Sequence, residues 1–465
     1  MSLRATLGGR PPEPIAVGGG TAVLLDGALE PIDAGVNRVR IRLGSIERDV
    51  DAFGMPPPRS YGSGPLWWAL LEIPASAELG SVPLALSVDR AGERIELDLG
   101  RLELVSDSPE PALPAPLAPA TIAICMATYE PPRERLGRQL DSIRAQTRED
   151  WVCLISDDCS SPESIAAIEA EIAGDERFVL SASPARLGFY RNFERALRMV
   201  PDDAELVALA DQDDRWDPDK LAALADLLEA RPDAALAYSD MRIATDDGRI
   251  LSETFWYLRR NSHDDIASLL VSNTVTGAAS LLRRELLDQA LPLPPAHPAH
   301  QAYHDHWLAL CALALGEIAY LDRPTYDYTR HEESVTIRAQ PDWLAPEAGR
   351  GGRAKVRWRL HRRRLRLLLA HPSGRDVYFR RYLLMRQLAV ALELRLGGRI
   401  GPGRRRAIGR VAEAERSPGA AAWLLSRSLR PLIGRNETLG SERIVFAGLL
   451  WRWIVGRRSA ARRAG

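Results

Sequence analysis

A change of rhythm at Thr121 constrains this 465-residue chain more than any other feature. From there the sequence reads TIAICMATY, a helical pattern from Arg133 to about Gln146, WVCLISDD, a helix from Pro162, FVLSAS, a helix through Asn192 to Met199, and AELVALAD. Strands this apolar need cover on both faces, and helices alternating with them supply it, so the pattern predicts an α/β domain with a mostly parallel sheet. Ligands in such sheets bind beyond the carboxyl ends of the strands. Polar chemistry should therefore gather where each run stops. Thr128 and Glu130 follow the first run, Asp157 and Asp158 end the second, and Asp211, Asp213 and Asp214 end the fourth.

The densest carboxylate group, Asp211-Gln212-Asp213-Asp214, lies between the apolar run Leu206 to Ala210 and Trp216. Acids this close repel one another unless a cation or hydrogen-bond donors compensate them. Magnesium is usually held by one or two carboxylates together with substrate phosphates, so a strand-end Asp-x-Asp suits a metal diphosphate. The plainer alternative is that Asp214 or Asp217 caps the next helix and the remaining acids are solvated.

Different segments flank this one. Residues 20–105 alternate apolar and polar positions in short runs such as Val39-Arg40-Ile41-Arg42-Leu43, which predicts a small β-sandwich as the domain spanning 1–108. Within it, adjacent Trp67 and Trp68 must point to opposite faces of a strand, which suits core plus domain-interface packing, with a sugar-stacking platform as the alternative. Gly18-Gly19-Gly20 has no P-loop lysine and reads as a turn. Residues 109–120 hold five prolines in twelve positions and predict an extended linker, and residues 346–465 read as a helical, arginine-rich region after a domain spanning 121–345.

The formal net charge of −1 conceals a division: residues 350–465 carry 29 Arg/Lys against 6 Asp/Glu, leaving 32 against 56 in the rest. So basic a region binds an anionic membrane surface or docks on the acidic body of its own chain. Stretches such as RIVFAGLLWRWIVGRR are too short to span a bilayer but suit its interface. With no secretory core in MSLRATLGGRPPEP, a cytoplasmic protein is expected, peripheral on the inner face of the plasma membrane.

Motifs in register now carry a resemblance. TIAICMATYEPPRERLGRQLDSIRAQTREDWVCLISDDCSS, ARLGFYRNFERAL and ALADQDDRWDPDKL resemble the first half of a family 2 glycosyltransferase. NTVTGAASLLRREL and HDHWLALCALALGEIAYLDRPTYDYTRHEESVT resemble its second half, in the branch with bacterial rhamnosyltransferases, so the likeness covers about residues 121–337. It implies the GT-A fold, a nucleotide-sugar donor (dTDP-, UDP- or GDP-linked), Mg²⁺ or Mn²⁺, and a surface glycan or lipid-linked acceptor. By position it implies that Thr128, Glu130, Asp157, Arg186, Gly188, Asn192 and Asp211 line the donor nucleotide. Asp213 would bind the cation with His331, and Asp305 would be the base. Asp214, Trp216, Gly277, His304 and Trp307 would serve the acceptor or support the site.

One carboxylate suffices to take a proton from an attacking hydroxyl in an inverting transfer, whereas a glycosidase needs a pair in different roles. His297, His300, His304, His306 and His331 invite a zinc reading, but no cysteine or His-x-x-x-His helix accompanies them, and the first two suit a solvated or acceptor-facing loop. Cys125, Cys153, Cys159 and Cys311 lack metal spacing and read as buried reduced thiols. Arg362-Arg363-Arg364 has no base-stacking platform beside it, so no nucleic acid is expected. A nucleotidyltransferase would need a glycine-rich loop that the first strand turn lacks. The rival from another class is a non-catalytic glycan-binding or assembly protein on a degenerate transferase domain.

Overall fold

The computed structural model describes residues 3–11, 14–32, 35–56, 65–111, 113, 117, 120–256, 260–261, 263–298, 300–330 and 374–464. His331, the arginine run 362–364 and the basic stretch 354–370 lie outside them.

Two sheets open the chain. One orders strands β1 (Arg4–Ala5), β3 (Thr21–Glu30), β7 (Leu66–Ile73) and β6 (Ala52–Met55); the other orders β2 (Ile15–Ala16), β9 (Glu93–Val105), β8 (Gly80–Arg90), β4 (Val36–Leu43) and β5 (Ile46–Asp49). Strand alternation explains the paired tryptophans. Trp67 joins Val23, Leu25, Ile41 and Val88 in the core between these sheets, while Trp68 belongs with Ala22, Leu24 and Leu70 to the other face. There it meets Tyr378 and Phe379, with ring centroids at 5.7 and 4.8 Å. Both indoles are fully buried, so neither is a sugar platform on the surface.

The described residues of 109–120 form no helix or strand. After them comes a sheet in the order β12 (Phe178–Ala182), β11 (Trp151–Asp157), β10 (Ile122–Thr128), β13 (Leu206–Ala210), β17 (Ser280–Arg283), β15 (Ala234–Thr245), β18 (Glu317–Arg330) and β14 (Arg215–Trp216), with β16 (Ile250–Ser252) on β15. The first four strands are parallel, joined through helices α1 (Arg133–Arg144), α2 (Pro162–Ile172) and α3 (Phe189–Leu197). Beyond β13 the pairings mix: β17 is antiparallel to both neighbours and β15 is parallel to β18. Helices α4 (Lys220–Ala230), α5 (Ile266–Val271), α6 (Leu287–Ala290) and α7 (His304–Leu315) complete this part. Register places Thr128 beside Asp157 at the carboxyl edge.

The C-terminal region is helical: α8 (Gly374–Val377), a π-helical turn Tyr378–Tyr382, α9 (Leu383–Leu396), α10 (Pro402–Glu413), α11 (Pro418–Arg427) and α12 (Ser441–Ala464). Its described residues dock on the rest of the chain. Tyr378, Phe379, Leu388 and Leu392 share one core cluster with Trp68 and with Trp307 of α7. Gln387 Nε2 donates to Ala22 O at 2.8 Å and to Pro295 O at 2.7 Å, tying α9 to both other parts. Arg386 and Arg416 meet the buried Asp51 at 3.0 and 2.6 Å. Among the described residues no helix is long and apolar enough to cross a membrane.

Two expectations need correction. Cys159 is exposed, unlike Cys125, Cys153 and Cys311, because it sits at positive φ in the turn that follows β11. His297 and His300 are buried, not solvated, because the first sheet and the C-terminal helices close over their loop. His297 Nε2 lies 2.8 Å from Asp26 Oδ1, and His300 Nε2 lies 2.6 Å from Phe379 O.

Candidate active site

The ends of β10 and β11 form one hydrogen-bonded corner. Thr128 Oγ1 donates to Asp157 Oδ2 at 2.9 Å, and Asp157 also accepts from Ser160 N at 2.8 Å and Ser160 Oγ at 2.7 Å. Glu130, at φ +41°, accepts from Ser161 N at 2.6 Å and from the hydroxyls of Ser161 and Ser164, so its exposed carboxylate caps α2. Hydrogen bonds from Ser164 and then Ser161 hold its carboxyl below the usual range. A charge at a helix N-terminus is favoured by the dipole as well.

Asn192 is buried at the start of α3, with its amide taken up by protein: Nδ2 donates to Ser156 O at 2.8 Å and Thr128 O at 3.2 Å, and Oδ1 accepts from Ser156 Oγ at 2.7 Å. It therefore ties three strand-end and helix segments together and is placed to position the corner. Asp158, which the motifs assign no role, accepts from Leu187 N at 2.5 Å and Gly188 N at 2.9 Å. Those bonds fix the loop in front of α3. Gly188 adopts φ +80° with open space where a Cβ would stand, so conformation and not crowding calls for glycine there. Arg186 lies over the exposed ring of Tyr129, its guanidinium carbon 3.9 Å from the centroid.

Behind β13 the acids divide. Asp211 and Asp213 are half-buried at the rim, whereas Asp214 is fully buried. Asp214 Oδ1 accepts from Thr329 N at 3.2 Å, and its Oδ2 has no hydrogen-bond partner. Beneath them Lys220, on the first turn of α4, is fully buried. Its ammonium donates to Ala278 O and sits 3.4 Å from the Trp216 ring centroid. Burial lowers the Lys220 ammonium strongly, with Asp214 and Asp211 opposing, and burial lifts Asp214 well above the ordinary carboxylate range. Asp211 is pushed up to about 7 by burial and by the charges of Asp213 and Asp305, which Lys220 opposes.

A bound cation would relieve the repulsion that Asp213 and Asp305 exert on Asp211. Among the described residues no three His, Cys, Asp or Glu side chains form a protein-only metal cage. His331, the other metal candidate, lies outside the described residues.

Asp305 enters from the opposite half, in the first turn of α7. Its Oδ1 accepts from Asn273 Nδ2 and its Oδ2 from Gly277 N, both at 3.1 Å. Burial pushes its carboxyl up to about 6, against those two donors. A Cβ on Gly277 would lie 3.0 Å from His304 Nε2 and 3.3 Å from Asp305 Cβ, so the glycine lets the chain pass this close. His304 stacks on Phe193 with centroids 3.6 Å apart, and neither ring nitrogen finds a hydrogen-bond partner. Burial pushes it down to about 3, so the ring is neutral.

The structure thus brings Thr128, Asp157, Asp211, Asp213, Gly277, His304 and Asp305 to the carboxyl edge of one sheet. Trp307 and Trp216 are core residues: the Trp307 indole donates to Ala290 O at 2.8 Å, and Trp216 packs on Lys220. Asp214 is likewise a buried support. Lys220 had one available signal, since it is one of only two lysines in the chain.

Residues 123–291, a little over a third of the chain, match the family described as Glycosyl transferase family 2. "Uncharacterized protein y4gI" of Sinorhizobium fredii is 29% identical over 120 residues, 26% of this chain and 13% of that protein. "Succinoglycan biosynthesis protein ExoW" of Rhizobium meliloti is 33% identical over 160 residues, 34% of this chain and 45% of that protein. The chain spans less than half the length of these curated relatives. Among solved structures, S. aureus TarS 1-349 in complex with UDP-GlcNAc aligns with a TM-score of 0.44 and 15% identity, covering 72% of this chain and 92% of that one. Mannosyltransferase PcManGT from Pyrobaculum calidifontis in complex with GDP-Man and Mn²⁺ aligns with a TM-score of 0.34 and 18% identity, covering 73% and 90%.

Proposed function

We propose that the chain is an inverting glycosyltransferase that moves a sugar from a nucleotide diphosphate donor to a hydroxyl of a cell-surface glycan or its lipid-linked precursor. The observation that carries this reading is the meeting of two unlike carboxylate sets at one sheet edge. Asp211 and Asp213 form a charged rim suited to a metal diphosphate, and Asp305 stands across from it, half-buried and lifted to about 6. A carboxyl poised near neutrality is a competent general base. The family 2 match at 123–291 and the name of ExoW, a succinoglycan biosynthesis protein, support glycan assembly as the setting. Rhamnose is the sugar favoured by the motif resemblance.

In this reading the corner of Thr128 and Asp157, with the loop held by Asp158, receives the nucleoside, and Arg186 on Tyr129 offers a cationic face beside it. Asp213, with His331, would hold Mg²⁺ or Mn²⁺; such a cation stabilises charge on the leaving diphosphate. Asp305 takes the proton from the acceptor hydroxyl as that oxygen bonds to the anomeric carbon and the bond to the leaving diphosphate breaks. Asn273 and Gly277 N–H orient the Asp305 oxygens, and Lys220, beneath the acids, opposes the upward shift of Asp211 and Asp214.

Association with the cytoplasmic face of an anionic membrane belongs to the same proposal. Leu432 and Ile433, 82% and 77% exposed, project next to Arg430. Co-sedimentation with phosphatidylglycerol vesicles should drop in Leu432→Glu/Ile433→Glu, and equal pelleting would remove this part of the proposal.

The central test is nucleoside diphosphate release from a panel of UDP-, dTDP- and GDP-sugars with Mn²⁺. One donor should turn over, and Asp213→Ala and Asp305→Ala should each abolish most of that turnover. Silence across the panel together with no nucleotide binding would replace the transferase by a glycan-binding protein on the same fold.

A further inference from the structure

A cleft of about 1060 Å³ opens where the three parts of the chain meet. Asn273, which holds Asp305, and Tyr303, two residues before Asp305, lie on its wall. If Asp305 is the base, this cleft is the way in for the acceptor, so the role assigned to the cleft rests on the proposed transferase function.

The cleft has an apolar side and a cationic side. Leu270 and Val271 at the end of α5 face Leu384 and Leu388 of α9, while Arg380 and Arg381 come from the π-helical turn between α8 and α9. No Asp or Glu is among its lining residues, and among the described residues neither guanidinium makes a hydrogen bond or ion pair. Both arginines are exposed at the rim of the cleft. Other arginines of the same region behave differently: Arg386 and Arg416 meet Asp51, Arg427 and Arg430 meet Asp265, and Arg452 meets Glu415. Single π-helical turns inside α-helices recur at functional sites. Here the turn carries two uncompensated cations to the mouth of a cavity that leads to the proposed base.

We infer that the acceptor bears a phosphate group, held by Arg380 and Arg381, with its less polar body along Leu270, Val271, Leu384 and Leu388. Two adjacent guanidinium groups match the charge and the several acceptor oxygens of a phosphate, whereas a lone sugar carboxylate is satisfied by one bidentate arginine. The phosphate has two possible sources, the diphosphate of a lipid carrier or a phosphodiester within a glycan chain.

The test is calorimetric titration of the full chain in EDTA, so that no cation draws a diphosphate to the donor site. The probes are geranyl diphosphate, glycerophosphoglycerol as a phosphodiester, and geraniol as the uncharged control. Geraniol should not bind, and at least one phosphate probe should bind with an affinity that falls roughly tenfold or more in Arg380→Ala/Arg381→Ala, the loss expected for charge-assisted contacts. Arg380→Lys/Arg381→Lys should lose less. Preference for geranyl diphosphate assigns a lipid carrier, and preference for the phosphodiester assigns a polymer. Nucleoside diphosphate binding with Mn²⁺ is measured on the same protein. If nucleotide binds and neither phosphate probe does, or if probe binding is the same in the alanine pair, the phosphate inference falls by itself; if nucleotide fails to bind too, the transferase reading falls with it. Should the alanine pair unfold, the lysine pair and the salt dependence of wild-type binding decide, since a contact made by two cations must weaken as salt rises.

Discussion

Burial lifts the Asp305 carboxyl to about 6, so an enzyme that uses it as a base loses turnover over a pH range in which an exposed aspartate stays ionised. Ionisation is about nine-tenths complete at pH 7 and about one-tenth at pH 5, so kcat should fall about tenfold between them. An ordinary aspartate near ~3.9 would lose about a tenth at most over the same span. The assay is nucleoside diphosphate release at saturating donor, acceptor and Mn²⁺ from pH 4.5 to 8. Saturating cation matters because Asp211, at about 7, titrates nearby, and a bound cation keeps it ionised. Two variants isolate the group. Asp305→Asn should lower kcat by ~10² to 10⁴, about 3 to 5 kcal/mol of barrier, and remove the acidic limb. Asn273→Ala deletes a hydrogen bond to the ionised form and should move the limb to higher pH. A flat profile from pH 5 to 7, or a limb that survives in Asp305→Asn, would refute Asp305 as the base.

Gly277→Ala sets a methyl 3.0 Å from His304 Nε2 and 3.3 Å from Asp305 Cβ; displacing the base should cut kcat roughly 10- to 100-fold, seen in the same assay. Asp158→Ala frees the amides of Leu187 and Gly188, so donor KM should rise more than kcat falls, with faster hydrogen exchange at those two amides. Trp68→Ala removes the indole shared with Tyr378 and Phe379; it should cost about 3 to 5 kcal/mol and make the C-terminal helices protease-sensitive at temperatures the wild type withstands. Burial pushes Asp51 up, but the charge and hydrogen bond of Arg386, and then Arg48, outweigh it and the net shift is downward. A folded pKa below the unfolded one means stabilisation that is complete above about pH 4 to 5 and lost as pH falls through the folded value. Asp51→Asn should therefore destabilise by about 3 to 5 kcal/mol at neutral pH, in thermal melts, and by progressively less in acid.

The strand-end logic located most of the site because it depends on local rules: an apolar run, then the residues at its carboxyl end. Thr128, Asp157 and the 211–214 acids are found that way, and alternation alone predicts that Trp67 and Trp68 face different cores. What escaped is non-local. Asp51 and Arg386 are 335 residues apart, and no pattern in either segment pairs them. His297 and His300 read as loop histidines until helix α9 covers them. Motif position also does not say whether a side chain faces ligand or protein. Asn192 has its amide bound to strand ends, and Trp307, next to a histidine-rich helix start, turns its indole into the core. Composition hides Lys220: in a chain with two lysines, rarity reads as codon bias, yet one of the two lies under the acid rim.

The division of charge between body and C-terminal region invites the view that electrostatic attraction joins them, but the geometry argues for a different division of labour. Exposed ion pairs are worth at most about 1 kcal/mol, and several of those here are partly exposed, such as Arg416 at 61% and Arg435 at 33%. Buried apolar surface is the stronger term, and Tyr378, Phe379, Tyr382, Leu388 and Leu392 are buried in one cluster that runs from Trp68 to Trp307. Packing, then, holds α9 in place, and the buried pairs at Asp51 select its register, because a slip would leave Arg386 or Asp51 without its partner at a cost greater than the pair contributes. Once register is fixed, Arg386 is matched to an acid, Arg395 is bound to carbonyls, and Arg380 and Arg381 are left facing the cleft. The same interlock that fixes the helix fixes them at the cleft that leads to Asp305, which is why the helical region is better understood as one wall of that cleft than as a tether.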